Sequence, residues 1–256
     1  MSIDLILGDC REVMPQRGPF DMIVADPPYG ETTLDWDRRV NGWLDVAGAA
    51  LKSSGSLWVF GSLRYFLELA PHLAASKLRI AQEIVWEKQN GSGLHNDRFK
   101  RVHELVVQLY LKDAPWKGVW NCVQTTADAT ARTIRRTRRP AHWGAIDAGH
   151  YESEDGGPRI MRSVVYCRNQ HGRAIHPTEK PVALLETLIK TSCPPGGTVG
   201  DFFAGSAACG EAARMCRRNY VGVEIDAAYH ERASARLQGQ LPLEQMSAEA
   251  EVAAGQ

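Results

Sequence analysis

The sequence predicts an α/β fold with a mostly parallel central sheet and helices on both of its faces. Three observations carry this expectation: two apolar runs near the N-terminus that lack polar alternation, helical spacing between later apolar runs, and a complete strand–loop–helix–strand unit from Thr198 to Glu224. Ile3-Asp4-Leu5-Ile6-Leu7 is stopped by Gly8-Asp9, and Asp21-Met22-Ile23-Val24-Ala25 is stopped by Asp26-Pro27-Pro28. Runs of this kind suit strands covered on both faces.

The remaining elements follow in order. Residues 43–51 have helical spacing, Gly55–Gly61 reads as the next strand, and a helix around Arg64–Leu73 precedes a strand at Ile80–Trp86. A polar Gly/Asn loop from Gln89 to Asn96 leads to a further apolar stretch, Glu104–Leu111. Between Asp113 and Arg173 periodicity fades, while Trp, Arg and Gly become frequent. A structureless loop of that length is improbable inside a compact domain. Residues 113–173 are therefore expected to form an inserted region between two halves of one domain, 1–112 and 174–240. Pro181 suits a first helical turn and Val182–Thr191 continues it. After the hard turn Pro194-Pro195-Gly196-Gly197 come strand Thr198–Phe203, loop Ala204–Ser206, helix Ala207–Arg218 and strand Tyr220–Glu224. The acidic, Ala-rich stretch 241–256 is expected to be disordered.

Composition narrows the class. With 44% hydrophobic and 23% charged residues, the 256-residue chain has the balance of a soluble globular protein. No apolar run approaches the ~20 residues that span a bilayer, and no basic segment with an apolar h-region opens the chain, so a cytoplasmic protein without membrane contact is expected. Six scattered cysteines without CxxC spacing predict reduced thiols and no structural metal. The formal net charge is zero, yet Arg132, Arg135, Arg136, Arg138 and Arg139 make one short stretch strongly basic. Local charge decides groove binding more than the sum does.

Two loops carry chemistry. The first, Asp201-Phe202-Phe203-Ala204-Gly205-Ser206-Ala207-Ala208, is followed by Glu224 at the end of the next strand. Glycine at a strand end lets backbone approach a ligand, and an acid at the next strand end suits ribose hydroxyls. Ala207 breaks the G-x-G-x-x-G pattern and no Gly-Lys-Ser/Thr follows, so neither a pyrophosphate nor a Walker loop is indicated. An adenosine cofactor lacking a pyrophosphate, such as S-adenosylmethionine (SAM), fits better; alone, the loop reads equally well as an ordinary turn. The second is Asp26-Pro27-Pro28-Tyr29, at the carboxyl end of a buried strand, where open α/β sheets bind ligands. Consecutive prolines fix the backbone and leave carbonyl acceptors. An aromatic amino group is a poor nucleophile; the Asp26 carboxylate and Pro27 carbonyl could hold both its N–H bonds, and Tyr29 offers a face for an extruded base.

Asp-Pro-Pro-Tyr, Asp-x-Phe-x-Gly-Ser and His-Pro-Thr-x-Lys-Pro together resemble the amino-methylating DNA methyltransferases, and among them the β class, in which the catalytic motif precedes the SAM loop. The resemblance covers 3–111 and 171–226. It implies a Rossmann-like SAM-dependent methyltransferase fold with a circularly permuted motif order. Residue by residue, it implies that Asp26, Pro27, Pro28 and Tyr29 form the catalytic motif. Asp201, Phe203, Ala204, Gly205 and Ser206 would cradle SAM, Glu224 would take the ribose hydroxyls with Ile225 beside the adenine, and Asp9 and Cys10 would meet the adenine edge. Thr178 and Lys180 would hold the methionine carboxylate. The segment Ile84–Lys88 with Asn90-Gly91 is similar to the family's base-pocket strand. The family usually carries Gly-Ser-Gly-Thr where this chain has Gly205-Ser206-Ala207-Ala208.

The permuted order requires the strands ending at Ala25 and Phe203 to be sheet neighbours. Candidate DNA contacts are the arginine cluster, with Trp116, Trp120 and Trp143 around it, and the loop after the catalytic motif, with Trp36, Arg38 and Arg39. Taken together, these readings point to SAM-dependent methylation of adenine N6 in double-stranded DNA by a base-flipping enzyme, expected as a homodimer. Cytosine-N4 is the nearest alternative acceptor. A nicotinamide oxidoreductase and a non-catalytic DNA-binding module are the more distant ones. His103 and Glu104 receive no role.

Overall fold

The computed structural model describes residues 1–34, 36–92, 96–136, 149–169 and 178–239. Its elements, in chain order, are β1 (Ile3–Leu7), α1 (Cys10–Val13), β2 (Phe20–Ala25), α2 (Trp43–Ala49), β3 (Leu51–Gly61), α3 (Leu63–Ala75), β4 (Leu78–Ser92), β5 (Arg101–Leu111), β6 (Thr125–Thr126), β7 (Arg132–Arg136), β8 (Gly149–Ser153), β9 (Arg159–Ile160), β10 (Val164–Tyr166), α4 (Val182–Ser192), β11 (Thr198–Asp201), α5 (Ala208–Met215), β12 (Asn219–Glu224) and α6 (Ala227–Leu237). Two compact units result: Met1–Cys122 with the chain from Ser163 onward, and Val123–Arg162.

The larger unit holds an eight-stranded sheet in the order β1-β12-β11-β2-β3-β5-β4-β10. Every pairing is parallel except those of β5, which runs antiparallel to both β3 and β4. All six residues of β2 are buried; Met22–Ala25 form the unalternating apolar run of a strand covered on both faces, and Asp21 is paired with Lys52 Nζ at 2.9 Å. Phe20, Ile23, Trp43, Leu57, Leu109 and Phe202 belong to the same core cluster. Two polar side chains that enter the core are satisfied there: Trp58 Nε1 donates to Ser192 Oγ at 2.8 Å, and Gln108 Nε2 donates to Ser56 and Ser192. Those bonds fix α4 against the sheet. Helix starts are capped locally. Ser62 accepts from Tyr65 N and Asp226 from Ala228 N and Tyr229 N.

The two halves of the chain meet at the sheet's centre. β11 pairs in parallel with β2, in register Val199↔Met22 to Asp201↔Val24, the adjacency that the permuted order requires. Connections leave β2 toward β3 on one side and β11 toward β12 on the other. The β11/β2 boundary is thus a topological switch point, with a crevice outside the carboxyl ends of the strands.

Some boundaries differ from the sequence expectation. β4 runs on to Ser92, into the segment read as a loop, because it pairs with β5 as far as Ser92↔Arg101. α5 begins at Ala208 because Ala207 is left-handed (φ 56°), and ends at Met215 rather than Arg218. The smaller unit is narrower than 113–173. Trp120 N donates to Ser54 O and Cys122 N to Thr191 O, and Val164–Tyr166 pairs with β4, so these flanks belong to the main unit. A three-residue strand is too short to leave a periodic signal. Among its described residues the smaller unit has two ladders, β6 with β9 and β7 with β8, both antiparallel. The tail 241–256 lies outside the described residues.

Candidate active site

Asp26 follows the last residue of β2 and opens on a cleft of about 960 Å³ at the switch point. Both of its carboxylate oxygens are engaged. Tyr29 Oη donates to Oδ1 at 2.8 Å, and the Lys180 ammonium donates to Oδ2. Burial raises the Asp26 pKa, against the pull of Lys180. Lys180, just before α4, has only 7% of its side chain exposed. Burial works to lower its pKa, but Asp26 and Glu104 together reverse that and hold it above the ordinary value. Its Nζ also donates to Thr178 O at 3.1 Å and lies 5.2 Å from the centre of the Phe60 ring.

Glu104, which received no role from the sequence, also lines the cleft. It lies near the start of β5, opposite Trp86 of β4. Because β5 is antiparallel, its beginning lies at the carboxyl edge of its parallel neighbours, facing the cleft. Lys88 donates to Oε1, while Oε2 is buried without a hydrogen-bond partner, 3.6 Å from Lys180 Nζ. Burial disfavours its charge, yet Lys180 and Lys88 outweigh burial and lower its pKa. The available signal was a lone acid ahead of a long apolar strand run.

The loop after the catalytic motif is held by Asp37, whose carboxylate accepts from the backbone N–H groups of Gly30 at 2.8 Å, Glu31 at 3.0 Å and Thr32 at 2.7 Å. Burial works against the Asp37 charge, but these bonds win and lower its pKa. Asp37→Ala is expected to destabilise the loop by about 2 kcal/mol, since each charge-assisted bond contributes roughly 1.5–3 kcal/mol and solvent recovers part of the loss. Hydrogen exchange at residues 30–32 would then quicken by roughly thirtyfold. Unchanged exchange there would show that the loop does not depend on Asp37.

On the other side of the cleft stands the loop after β11. Asp201 accepts from Tyr220 Oη at 3.0 Å and from Phe203 N at 3.3 Å, and burial pushes its carboxyl up to about 7 despite both bonds. Glu224 accepts from Gly205 N at 2.7 Å through one oxygen and from Asp226 N at 2.8 Å through the other, tying the loop to the end of β12. Phe203 packs edge-on against Trp43, with ring centres 5.7 Å apart. Ser206 and Ala204 are buried, and Ile225 is exposed. The left-handed backbone at Ala207 accounts for a glycine there in the family pattern. For Ala it costs roughly 1–2 kcal/mol, partly offset by about 0.8 kcal/mol from burying the methyl.

The structure therefore brings Asp26, Pro27, Pro28, Tyr29, Asp9, Cys10, Thr178, Lys180, Asp201, Phe203, Ala204, Gly205, Ser206, Glu224 and Ile225 to one cleft. Asp9 caps α1 and grips Arg11, which lowers its pKa, and burial lifts the Cys10 thiol to about 12. Lys180 stands with Asp26 and Glu104 in that cleft. The Tyr29 ring packs against Tyr65, with centres 5.2 Å apart. Trp36 and Arg38 line the cleft, whereas Arg39 pairs with Glu68 at 2.6 Å. Arg132 and Arg135 are exposed on β7, and the Arg136 backbone continues that strand. Arg138, Arg139, Trp143, His176 and Pro177 lie outside the described residues. Among the described residues, no helix is long and apolar enough to cross a membrane, and no cluster of His, Cys, Asp and Glu is arranged for a metal ion.

The donor set suits SAM. Glu224 offers carboxylate lone pairs at a strand end, Asp201 a carboxylate for an ammonium, and Gly205 a close backbone approach. Comparison with known proteins agrees. A family model described as DNA methylase, for N6 and N4 methyltransferases, matches residues 20–235. The type II methyltransferase M.HinfI of Haemophilus influenzae is 25% identical over 268 residues, covering 91% of this chain and 67% of that protein. The crystal structure of an M1.HpyAVI–SAM complex is similar with a TM-score of 0.63 and 22% identity, covering 91% of this chain and 99% of that one. PvuII DNA methyltransferase, cytosine-N4-specific, has a TM-score of 0.62 and 17% identity, over 95% of this chain and 89% of that one. With its motifs gathered in one cleft and its sequence matched across most of its length, this chain belongs to the SAM-dependent N6/N4 amino DNA methyltransferase family.

Proposed function

We propose that the chain methylates the N6 amino group of adenine in a specific sequence of double-stranded DNA, by base flipping and direct in-line transfer. The observation that carries this reading is the Asp26-Pro27-Pro28-Tyr29 motif opening on the same cleft as the Asp201–Ser206 loop. Asp, rather than Ser, before Pro-Pro favours adenine within the family that the chain resembles. Bound SAM supplies an electrophilic methyl group on a sulfonium.

The chain's own residues do the rest. Asp26 and the Pro27 carbonyl accept the two N–H bonds of the target amine and turn its lone pair toward the methyl group. Tyr29 orients Asp26 and supports the extruded base. Asp201 holds the methionine ammonium, Glu224 the ribose hydroxyls, and Phe203, Ala204, Gly205 and Ser206 shape the wall, with Asp9, Cys10 and Ile225 around the adenine. Thr178 borders the methionine end.

We assign the DNA backbone to Arg132, Arg135 and Arg136, with Arg38 and Trp36 at the cleft mouth. Neutralising Arg132 or Arg135 is expected to reduce the salt slope of DNA binding by about one unit each; an unchanged slope by filter binding would remove that residue from the interface. The homodimer belongs to this proposal too, and Leu63 and Leu67, exposed one turn apart on α3, are the apolar pair that supports it.

Incubation with SAM and mixed-sequence duplex, followed by mass spectrometry of the nucleosides, tests the acceptor. N6-methyladenine is expected. N4-methylcytosine would keep the chemistry and replace the base. Absence of any methylated base in a protein that binds SAM would favour a non-catalytic module.

A further inference from the structure

Asp26 has no oxygen left without a donor: Tyr29 holds one and Lys180 the other. A target amine that donates to Asp26 must share an oxygen with one of them or take its place, and the ammonium is the competitor that also neutralises the carboxylate charge. Lys180 already has a second carboxylate within reach, because Glu104 Oε2 is buried, lacks a hydrogen-bond partner and lies 3.6 Å from Nζ. That separation is longer than a hydrogen bond. A movement of less than an ångström would close it.

We propose that Glu104 is a positioning residue that receives the Lys180 ammonium when the target amino group takes its place on Asp26. The inference rests on the methyltransferase reading above. Lys88 anchors the other Glu104 oxygen, so the carboxylate stays fixed while the ammonium moves. Lys180 never becomes an unpaired charge in its buried site, which would be costly. With the ammonium drawn toward Glu104, more of the Asp26 negative charge faces an amine that becomes positive as the N–C bond forms and the C–S bond breaks. The interaction is therefore strongest in the transition state. No proton is moved by this step; Lys180 keeps its charge throughout.

A double-mutant cycle tests the relay. Glu104→Gln keeps the shape and removes the receiving charge; single-turnover methyl transfer is expected to fall about thirtyfold, with the Kd for SAM changed less than about twofold. In a Lys180→Met background the same substitution should cost almost nothing further, because Glu104 acts through Lys180. Full single-turnover transfer in Glu104→Gln, or equal losses in both backgrounds, would overturn the proposal. A second measurement needs no turnover: in the crystal structure of Asp26→Asn, Lys180 Nζ is expected within about 3.2 Å of Glu104 Oε2. An ammonium still seated on the side chain at position 26 would overturn the proposal even if the parent protein methylates DNA. A parent protein that methylates no base, with the ammonium moved in Asp26→Asn, would sink the functional reading and leave the relay standing.

Discussion

Asp26→Ala is expected to abolish methyl transfer, by more than about a thousandfold in single turnover, while the Kd for SAM changes less than about twofold. Three effects combine. The carboxylate that accepts an amino N–H disappears, and so does the negative charge facing the developing cation; terms of this kind contribute roughly 10²–10³ each in comparable sites. Tyr29 also loses the acceptor that orients its hydroxyl. The fold should persist, since Glu104 remains within 3.6 Å of the Lys180 ammonium and keeps it paired. Rapid-quench transfer of a labelled methyl group to duplex DNA, with calorimetric titration of SAM alongside, checks both halves. Residual transfer above about one per cent would remove Asp26 from the reaction, and a collapse of SAM binding would make it a structural residue.

The second large effect concerns pH. Burial pushes the Asp201 carboxyl up to about 7 without cofactor, from an ordinary value near ~3.9. The sign follows from linkage. Between those values the folded protein binds the proton more tightly than the unfolded chain, so this group's contribution to stability is present at low pH and is lost as pH rises through about 7. SAM binding runs the opposite way, because an ammonium partner requires the carboxylate. Below about pH 7 affinity is expected to fall by up to roughly tenfold per unit. Above about 8 it weakens again as an α-amino group of ordinary pKa loses its proton. Asp201→Asn should weaken binding near neutrality by at least about a hundredfold, flatten the acid limb and raise the Tm of the cofactor-free protein. Titration of SAM from pH 5.5 to 8.5 (roughly the span of both limbs) reads all of this. An acid limb that survives in Asp201→Asn would assign the titration to another carboxyl, with Glu224, also raised by burial, the first to examine.

Asp26-Pro27-Pro28-Tyr29, the Asp201–Ser206 loop and Glu224 are legible in the chain because each depends on local backbone chemistry: prolines fixing a strand end, glycine turning close to a ligand, an acid ending a strand. The sheet was equally legible. The unalternating apolar run Met22–Ala25 of β2 has to be covered on both faces, and motif order then demands β11 beside it, as found.

Other features depended on chain segments far apart in sequence. Glu104 faces Lys180 only because β5 runs antiparallel, bringing its first residues to the carboxyl edge of the sheet. Residue type alone cannot announce that reversal. Arg39 reads as a free basic side chain until α3 sets Glu68 2.6 Å from it. Val164–Tyr166 joins the sheet through pairing with β4, although three residues show no period of their own. The sequence by itself determined the strands that carry the two loops, the loops themselves and the adjacency of the halves, because those follow from short-range sterics and two-sided burial. Only the tertiary structure decided which buried charges share one another, because charge pairing across a cleft is set by strand direction and register.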